Sequence, residues 1–363
     1  VSLREGEEGG PAPDPELAPG DADGDGLRFP WAEAPTEGEF LEVAEGVLWA
    51  RVPLPMALDH VNVYFLEEED GWAMVDTGLD TRRTRALLDR MFERLGKPVN
   101  RLLVTHYHPD HIGLAGWMRE RGAELICTRT TWLTARMLQL DVQDRPDEAT
   151  LRFWHRNGMD EDVVARRLQE RPFNFADCTS PLPLGYTRIK AGDRITLGGR
   201  AWSVEEGNGH AWEHAVLFEE GGTLVLGGDQ ILPGISPNIG VHASEPMSDP
   251  LAAWMESCRA LLGQAQPDHL VLPGHKLPFR GLRLRLQQMI ANHDGALARL
   301  ESHLAEPRRG GECFVPLFRR EIDGGAYGLA FVETVAHLNH LLLRGRIRRW
   351  DRGDGVWLWQ ANG

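Results

Sequence analysis

Thr105-His106-Tyr107-His108-Pro109-Asp110-His111 packs three imidazoles and a carboxylate into six consecutive positions. Imidazole and carboxylate together are the donors of hard-to-borderline divalent cations, zinc foremost. The stretch Arg101-Leu102-Leu103-Val104 before the string reads as a strand. In a coil leaving that strand, His106 and His108 can turn toward one cation while Asp110 and His111 reach a second a few ångströms away. A His-x-His pair alone is usually accidental or structural. The full string is far more specific.

Working outward, Gly209-His210, Gly227-Gly228-Asp229 and Pro273-Gly274-His275 each lie at or shortly after an apolar run that reads as a strand. With Val75-Asp76-Thr77-Gly78, these motifs resemble the metallo-β-lactamase-fold hydrolase superfamily over about residues 40–280. The resemblance implies an α/β fold, a four-layer αβ/βα sandwich with metals at one sheet edge. It also implies a ligand set: His106, His108 and His210 for one ion, Asp110, His111 and His275 for a second, and Asp229 bridging them. The implied cofactor is two divalent metal ions, Zn2+ first, with Fe2+ or Mn2+ open because cellular metal choice follows availability as well as ligands. A hydroxide between the ions is the implied nucleophile, with Asp110 and Asp229 as the catalytic carboxylates.

Other residues are candidates for supporting roles. Asp76 can hydrogen-bond an imidazole N–H so that the ring turns its other nitrogen to the metal, and can also cap its own turn. His214, four positions after His210, is expected to support rather than ligate, because the first histidine of this motif is usually the ligand in related sequences. His60, Tyr107, Trp132 and Met137 are candidate substrate contacts, the last two within a mostly helical insertion at about 128–180, where a lid would sit. Packing roles compete with all four. His293, His303, His337 and His340 stand at ordinary helical spacing and are expected to be structural or surface residues.

Around the motifs, strands are expected near 41–53, 61–67, 72–76, 124–127, 194–197, 202–205, 215–218, 223–226 and 270–272, and a helix near 80–96. A chain of 363 residues exceeds what one core usually supports. We expect an acidic flexible arm over 1–37, a catalytic domain over 38–281, and a smaller winged-helix-like domain over 282–363 with helices at about 282–305 and 327–344 and a terminal hairpin. The arm carries ten acidic and two basic residues, a net −8 of the chain's −15. Within it, Asp21-Ala22-Asp23-Gly24-Asp25-Gly26 opens like a calcium loop, but position twelve is Ala32 where a glutamate is needed, so a solvated linker is expected. The last 82 residues hold twelve basic and nine acidic side chains.

Cys127, Cys178, Cys258 and Cys313 show no Cys-x-x-Cys spacing, which argues against a zinc ribbon or disulfide scaffold and for a cytoplasmic setting. No stretch is long and apolar enough to suggest a membrane span. The acidic balance counts against nucleic acid as partner, since phosphate contacts need Lys and Arg. A small-molecule substrate is expected, and a homo-oligomer is compatible with the sequence. By resemblance, Asp229 speaks against a true zinc β-lactamase, which usually lacks an aspartate there, and the full seven-residue set speaks against an iron oxygenase. The expected reaction is hydrolysis of an ester-like carbonyl compound, thioester or lactone. Cleavage of RNA or another phosphodiester is the alternative, with Arg344, Arg346, Arg348 and Arg349 as its phosphate contacts.

Overall fold

The computed structural model describes residues 26–322 and 324–363. Two sheets face each other. The first has strands in sequence order: β1 (Leu41–Ala44), β2 (Val47–Pro53), β3 (His60–Glu68), β4 (Gly71–Val75), β5 (Val99–Leu103), β6 (Glu124–Cys127) and β7 (Thr187–Arg188). It is antiparallel up to β4 and parallel from β4 to β7. The second comprises β8 (Arg194–Leu197), β9 (Arg200–Gly207), β10 (His214–Glu219), β11 (Leu224–Gly228), β12 (Leu270–Pro273) and β13 (Phe279–Arg280), again in chain order across the sheet.

The helices are α1 (Arg82–Leu95), α2 (Pro109–Ile112), α3 (Ala115–Glu120), α4 (Arg129–Leu140), α5 (Glu148–Arg156), α6 (Glu161–Arg167), α7 (Pro250–Gln264), α8 (Leu282–His303), α9 (Phe314–Phe318) and α10 (Tyr327–Leu343). Three apolar layers hold the stack together. Val47, Trp49, Leu66, Leu103, Trp202, Val204 and Leu217 fill the space between the sheets. Leu87, Leu88 and Met91 of α1 and Trp117 of α3 cover the outer face of the first sheet. Trp254 and Cys258 of α7 and Leu286 and Met289 of α8 cover the second. The result is a helix–sheet–sheet–helix sandwich of α/β class, with a smaller, mostly helical carboxy-terminal region that ends in the hairpin β14 (Ile347–Asp351) and β15 (Trp357–Ala361).

Local chemistry explains why the elements begin and end where they do. Thr81 caps α1 by accepting from the Thr84 N–H, and Gly96 closes it at φ 69°. The apolar stretch 41–53 is two strands because the turn at Glu45-Gly46 folds it back on itself. Helix α7 and the two-residue strands β7 and β13 are additional to the elements expected from sequence. In α7 the buried Leu251, Trp254, Met255, Cys258 and Leu261 follow a helical period.

Two expectations need correction. Residues 26–37 are not loose: Leu27 is buried in the outer core, Arg28 bridges to Arg280, and the Trp31 ring packs edge-on against Trp49. Apolar anchors outweigh the arm's charge there. Residues 1–25, with the calcium-like stretch up to Asp25, lie outside the described residues. The helical insertion is likewise not a single lid. Its α4 packs on the first sheet through Ala135 and Trp132, whereas Phe153, Met159 and Val163 of the following segment form a core with Phe314, Tyr327 and Phe331 of the carboxy-terminal region.

Candidate metal centre

Each functional loop leaves the carboxyl end of a strand or lies between two, so all converge on one edge of the sandwich. Asp76 follows β4, His106–His111 follows β5, His210 lies between β9 and β10, Asp229 follows β11 and His275 follows β12. Backbone hydrogen bonds tie these loops across the sheets: Ala215 N–H to Thr105 O (2.8 Å), Gly274 N–H to Gly228 O (2.8 Å) and Asn62 N–H to Gly274 O (2.7 Å). Three of the four non-glycine residues with positive φ among the described residues, Asp76, Glu213 and Lys276, sit in these loops. Such backbone costs on the order of 1 kcal/mol each and persists only where surroundings enforce it.

Inside the edge, five imidazoles and two carboxylates meet. His111 Nε2 lies 3.5 Å from Asp110 Oδ2 and 3.4 Å from Asp229 Oδ1, and His275 Nε2 lies 3.4 Å from Asp110 Oδ2 and 3.2 Å from Asp229 Oδ2. His210 Nε2 is 3.6 Å from Asp229 Oδ2, and His106 Nε2 is 2.9 Å from His108 Nδ1. Donor atoms fall into three groups: His106, His108 and His210; Asp110, His111 and His275; and His106, His111 and Asp229. His111 Nε2, His210 Nε2 and Asp229 Oδ1 are buried without a hydrogen-bond partner. Two ligands about 2.0–2.2 Å from a tetrahedral cation stand roughly 3.3–3.6 Å apart. The carboxylate–imidazole spacings match that, so the orphaned atoms and the donor chemistry both fit divalent metal.

The ring nitrogens that point away from the cluster are held from behind. His111 Nδ1–H donates to Asp76 Oδ2 (2.9 Å), while the other oxygen of Asp76 accepts from the Thr105 N–H (2.8 Å). His275 Nδ1–H donates to the His60 carbonyl (2.7 Å) and His210 Nδ1–H to the Asn238 carbonyl (2.8 Å). His106 Nδ1 meets Thr105 Oγ1 at 3.0 Å. His214 accepts the Asp229 N–H on Nε2 (3.1 Å) and stacks on the His106 ring, so it fixes the loop of Asp229. Gly274 is required because a Cβ there would come within 2.2 Å of Asp229 Oδ1, and Gly228 holds φ 48° against the His214 ring.

Burial, helped by neighbouring imidazoles, holds His106 and His108 well below the ordinary imidazole range, so both are neutral. Burial pulls His111 and His275 the same way, but the carboxylates of Asp229 and Asp110 outweigh it. His111 stands well above its usual value and His275 at about 9. Burial likewise pushes Asp110 and Asp229 upward, and His111 and His275 overcome it, so both carboxylates are firmly ionised. Burial lowers the His214 ring to about 3, in keeping with its acceptor role.

Of the candidate substrate contacts, His60 is buried and occupied: Nε2 accepts the Lys276 N–H (3.0 Å) and Nδ1 lies 2.6 Å from Asp59. Tyr107 packs beside the His108 ring and against the outer core of the first sheet. Trp132 stacks on Tyr186 under the Arg136 guanidinium, and Met137 is 56% exposed on an outward stripe with Leu133 and Leu140. Sequence reasoning did not single out Asn238 or Glu213. Glu213 accepts the Thr130 N–H at the start of α4 (2.8 Å), and the Asn238 amide donates to Glu333 Oε2 (2.8 Å) and the Leu329 carbonyl (3.1 Å) of α10. Asn238 stands outside the histidine–aspartate motifs, and Glu213, inside the His210–His214 stretch, has no donor role there, so only their contacts reveal them.

With this geometry in view, comparison with known proteins is decisive. The profile of the Metallo-beta-lactamase superfamily matches residues 56–275, and that of the Metallo-beta-lactamase-like, C-terminal domain matches 297–362. The chain belongs to the metallo-beta-lactamase superfamily. A beta-lactamase domain protein from Burkholderia ambifaria is similar to it, with 35% identity, a TM-score of 0.85, and coverage of 93% of this chain and 98% of that one. The metallo-beta-lactamase family protein TTHA1429 from Thermus thermophilus is 27% identical with a TM-score of 0.74, covering 88% of this chain and all of that one. Among curated proteins, the probable metallo-hydrolase YqjP of Bacillus subtilis (strain 168) is 27% identical over 322 residues, 86% of this chain and 97% of that protein. This superfamily member is a metal-dependent hydrolase. Among the described residues, no helix is long and apolar enough to cross a membrane.

Proposed function

We propose that the chain hydrolyses an ester-like carbonyl compound, a thioester or a lactone, at a centre of two divalent cations, zinc foremost. His106, His108 and His210 would hold one cation and Asp110, His111 and His275 the other, with Asp229 between them. When bound, such cations supply a water acidic enough to act as nucleophile near neutrality and polarise the carbonyl oxygen. The chain's part is to turn the imidazole Nε2 atoms of His111, His275 and His210 inward, through Asp76, His60 O and Asn238 O, and to keep both carboxylates ionised.

The observation that carries the reading is Asp229. Its Oδ1 faces His111 and its Oδ2 faces His210 and His275, so one side chain serves both donor groups. An aspartate in this position resembles the thioesterase and lactonase branches more than true zinc β-lactamases. Against the phosphodiesterase alternative, Arg344 is paired with Asp249 and Arg346 with Glu301, which leaves little of a continuous basic track. The test is chelator-sensitive turnover by the zinc-loaded protein on acyl thioesters, lactones, a β-lactam and an activated phosphodiester. Turnover concentrated on thioesters or lactones is expected; preference for the phosphodiester or the β-lactam overturns the reading.

A further inference from the structure

Away from the metal edge, a cleft of about 420 Å³ opens between α5, the loop around Met247 and the terminal hairpin. That is within the size range of small-molecule sites. Its walls carry Arg152, Arg156 and Arg349, and among the described residues none of the three forms an ion pair with a carboxylate. On a chain of net charge −15, three unneutralised guanidiniums gathered at one cleft require an explanation. Asp351 feels the charge of Arg156 but spends one carboxylate oxygen on the Gly353 and Gly355 N–H groups of the hairpin turn.

The guanidiniums are also held in place. Arg349 lies 3.5 Å over the Trp357 ring, and Arg156 lies 5.5 Å from the same ring. Stacking on an aromatic face orients a guanidinium while leaving its N–H edge available. The only hydrogen-bond acceptor the Arg349 guanidinium finds among the described residues is the thioether sulfur of Met247, at 3.5 and 3.6 Å, a weak partner for a charged donor. Half-burial and the charge of Arg156 lower the affinity of Arg349 for its proton, the mark of a cation lacking an anion. Phe153 and Met247 supply apolar wall between the charges.

We propose that this cleft binds an organic phosphate, its charged oxygens taken by Arg152, Arg156 and Arg349 and its apolar part lying against Phe153 and Met247. Planar forked donors fit phosphate oxygens bidentately, which a point charge cannot do. A compact group of three arginines suits a small anion better than a nucleic-acid strand, which needs a longer track. One loop connects this cleft with the metal edge: Asn238, whose carbonyl holds His210, is five residues from Ala243 in the cleft wall. Five residues span at most about 18 Å. Resting on the hydrolase reading, the cleft then anchors the phosphate end of a substrate whose carbonyl reaches the metals.

Calorimetric titration of the full metal-loaded chain with ADP tests the site, using wild type, Arg152→Gln and the Arg152→Gln/Arg156→Gln double variant. Among the described residues the Arg152 side chain enters no hydrogen bond or ion pair, and thermal melting checks that each variant is folded. ADP affinity should fall about tenfold or more per arginine lost, as for a charge-assisted hydrogen bond. Arg349→Lys, which keeps the charge but not the fork, should also weaken binding. Unchanged ADP affinity in the double variant overturns the site, since ADP would then be held at the metals. Tighter binding of a single-stranded RNA oligomer than of ADP, lost in the same variants, overturns the small-molecule assignment. A second measurement compares two thioesters alike except for a terminal phosphate. In the double variant, KM should rise for the phosphorylated one alone; an equal change for both removes the substrate-anchor role. If neither thioester, nor any other thioester or lactone of the panel above, is hydrolysed by wild type while arginine-dependent ADP binding persists, the ester-like substrate reading fails and the phosphate site stands.

Discussion

This chain buries two groups of histidines, and they have opposite characters. At the sandwich edge, His106, His108, His111, His210 and His275 converge around Asp110 and Asp229. In the carboxy-terminal region, His293, His337 and His340 also sit close together, but their bonds run in sequence. His337 donates from Nδ1 to the Glu333 carbonyl (2.8 Å) and meets His293 Nδ1 with Nε2 (3.2 Å), while His340 lies 2.9 Å from Asp249. Asp249 is also taken by Arg344 and by the first turn of α7. Burial drives His293 to about 3 and His337 to about 4, with no carboxylate directed at either ring. Imidazoles in proximity are therefore not enough to make a metal centre. What distinguishes the edge is the pair of carboxylates that faces several ring nitrogens at cation-sharing distances.

The sharpest break of that contrast is Asp229→Asn, which should cut turnover by more than about 100-fold and lower bound metal, measured by steady-state kinetics and elemental analysis. Asp110→Asn should behave similarly with the fold intact; unchanged turnover would remove its assigned role. Next, Asp76→Asn leaves every donor atom in place but weakens the support behind His111. Metal affinity should drop about 10–100-fold in a competition titration with a chelating dye. By contrast, His293→Leu should leave metal content and turnover unchanged while costing about 1–3 kcal/mol of stability in denaturant unfolding, because His337 loses its partner. Loss of metal in that variant would show that the two groups are coupled.

The smallest effect concerns the strut between the regions. Burial pushes the Glu333 carboxyl up to about 8, the Asn238 amide only partly opposing it. For a carboxyl raised above its ordinary 4.5, the contribution to stability is complete below that value and is lost as pH rises through about 8. Because Glu333 is only part-buried, Glu333→Gln should recover on the order of 1 kcal/mol at pH 8 and nothing at pH 4. Melting curves across that range check the sign. A parallel pH profile for both proteins would exclude titration of Glu333.

Legibility in the sequence was uneven for physical reasons. The donors at 106–111, 210, 229 and 275 were readable because each follows an apolar strand signal and has a chemistry with few other uses. Helix α7 is equally periodic, with Leu251, Trp254, Cys258 and Leu261 marking its inner face, but it carries no donor residue of the metal edge. Trp132 and Met137 look alike as apolar residues of one helix, yet one is stacked under Arg136 and the other faces outward. Composition cannot separate two positions whose fates depend on which side of α4 meets the sheet.

The sequence by itself determined the fold class and the residues able to hold metal, because strand and helix periodicity and imidazole–carboxylate chemistry are properties of neighbouring positions. Only the tertiary structure decided what stands behind those residues and what else is brought together. The carbonyls of His60 and Asn238 orient His275 and His210, and Arg152, Arg156 and Arg349 meet across nearly two hundred positions of chain. A carbonyl is present at every residue and an arginine is common on any surface. What makes them functional is the partner supplied by a distant segment, and that pairing is made by packing.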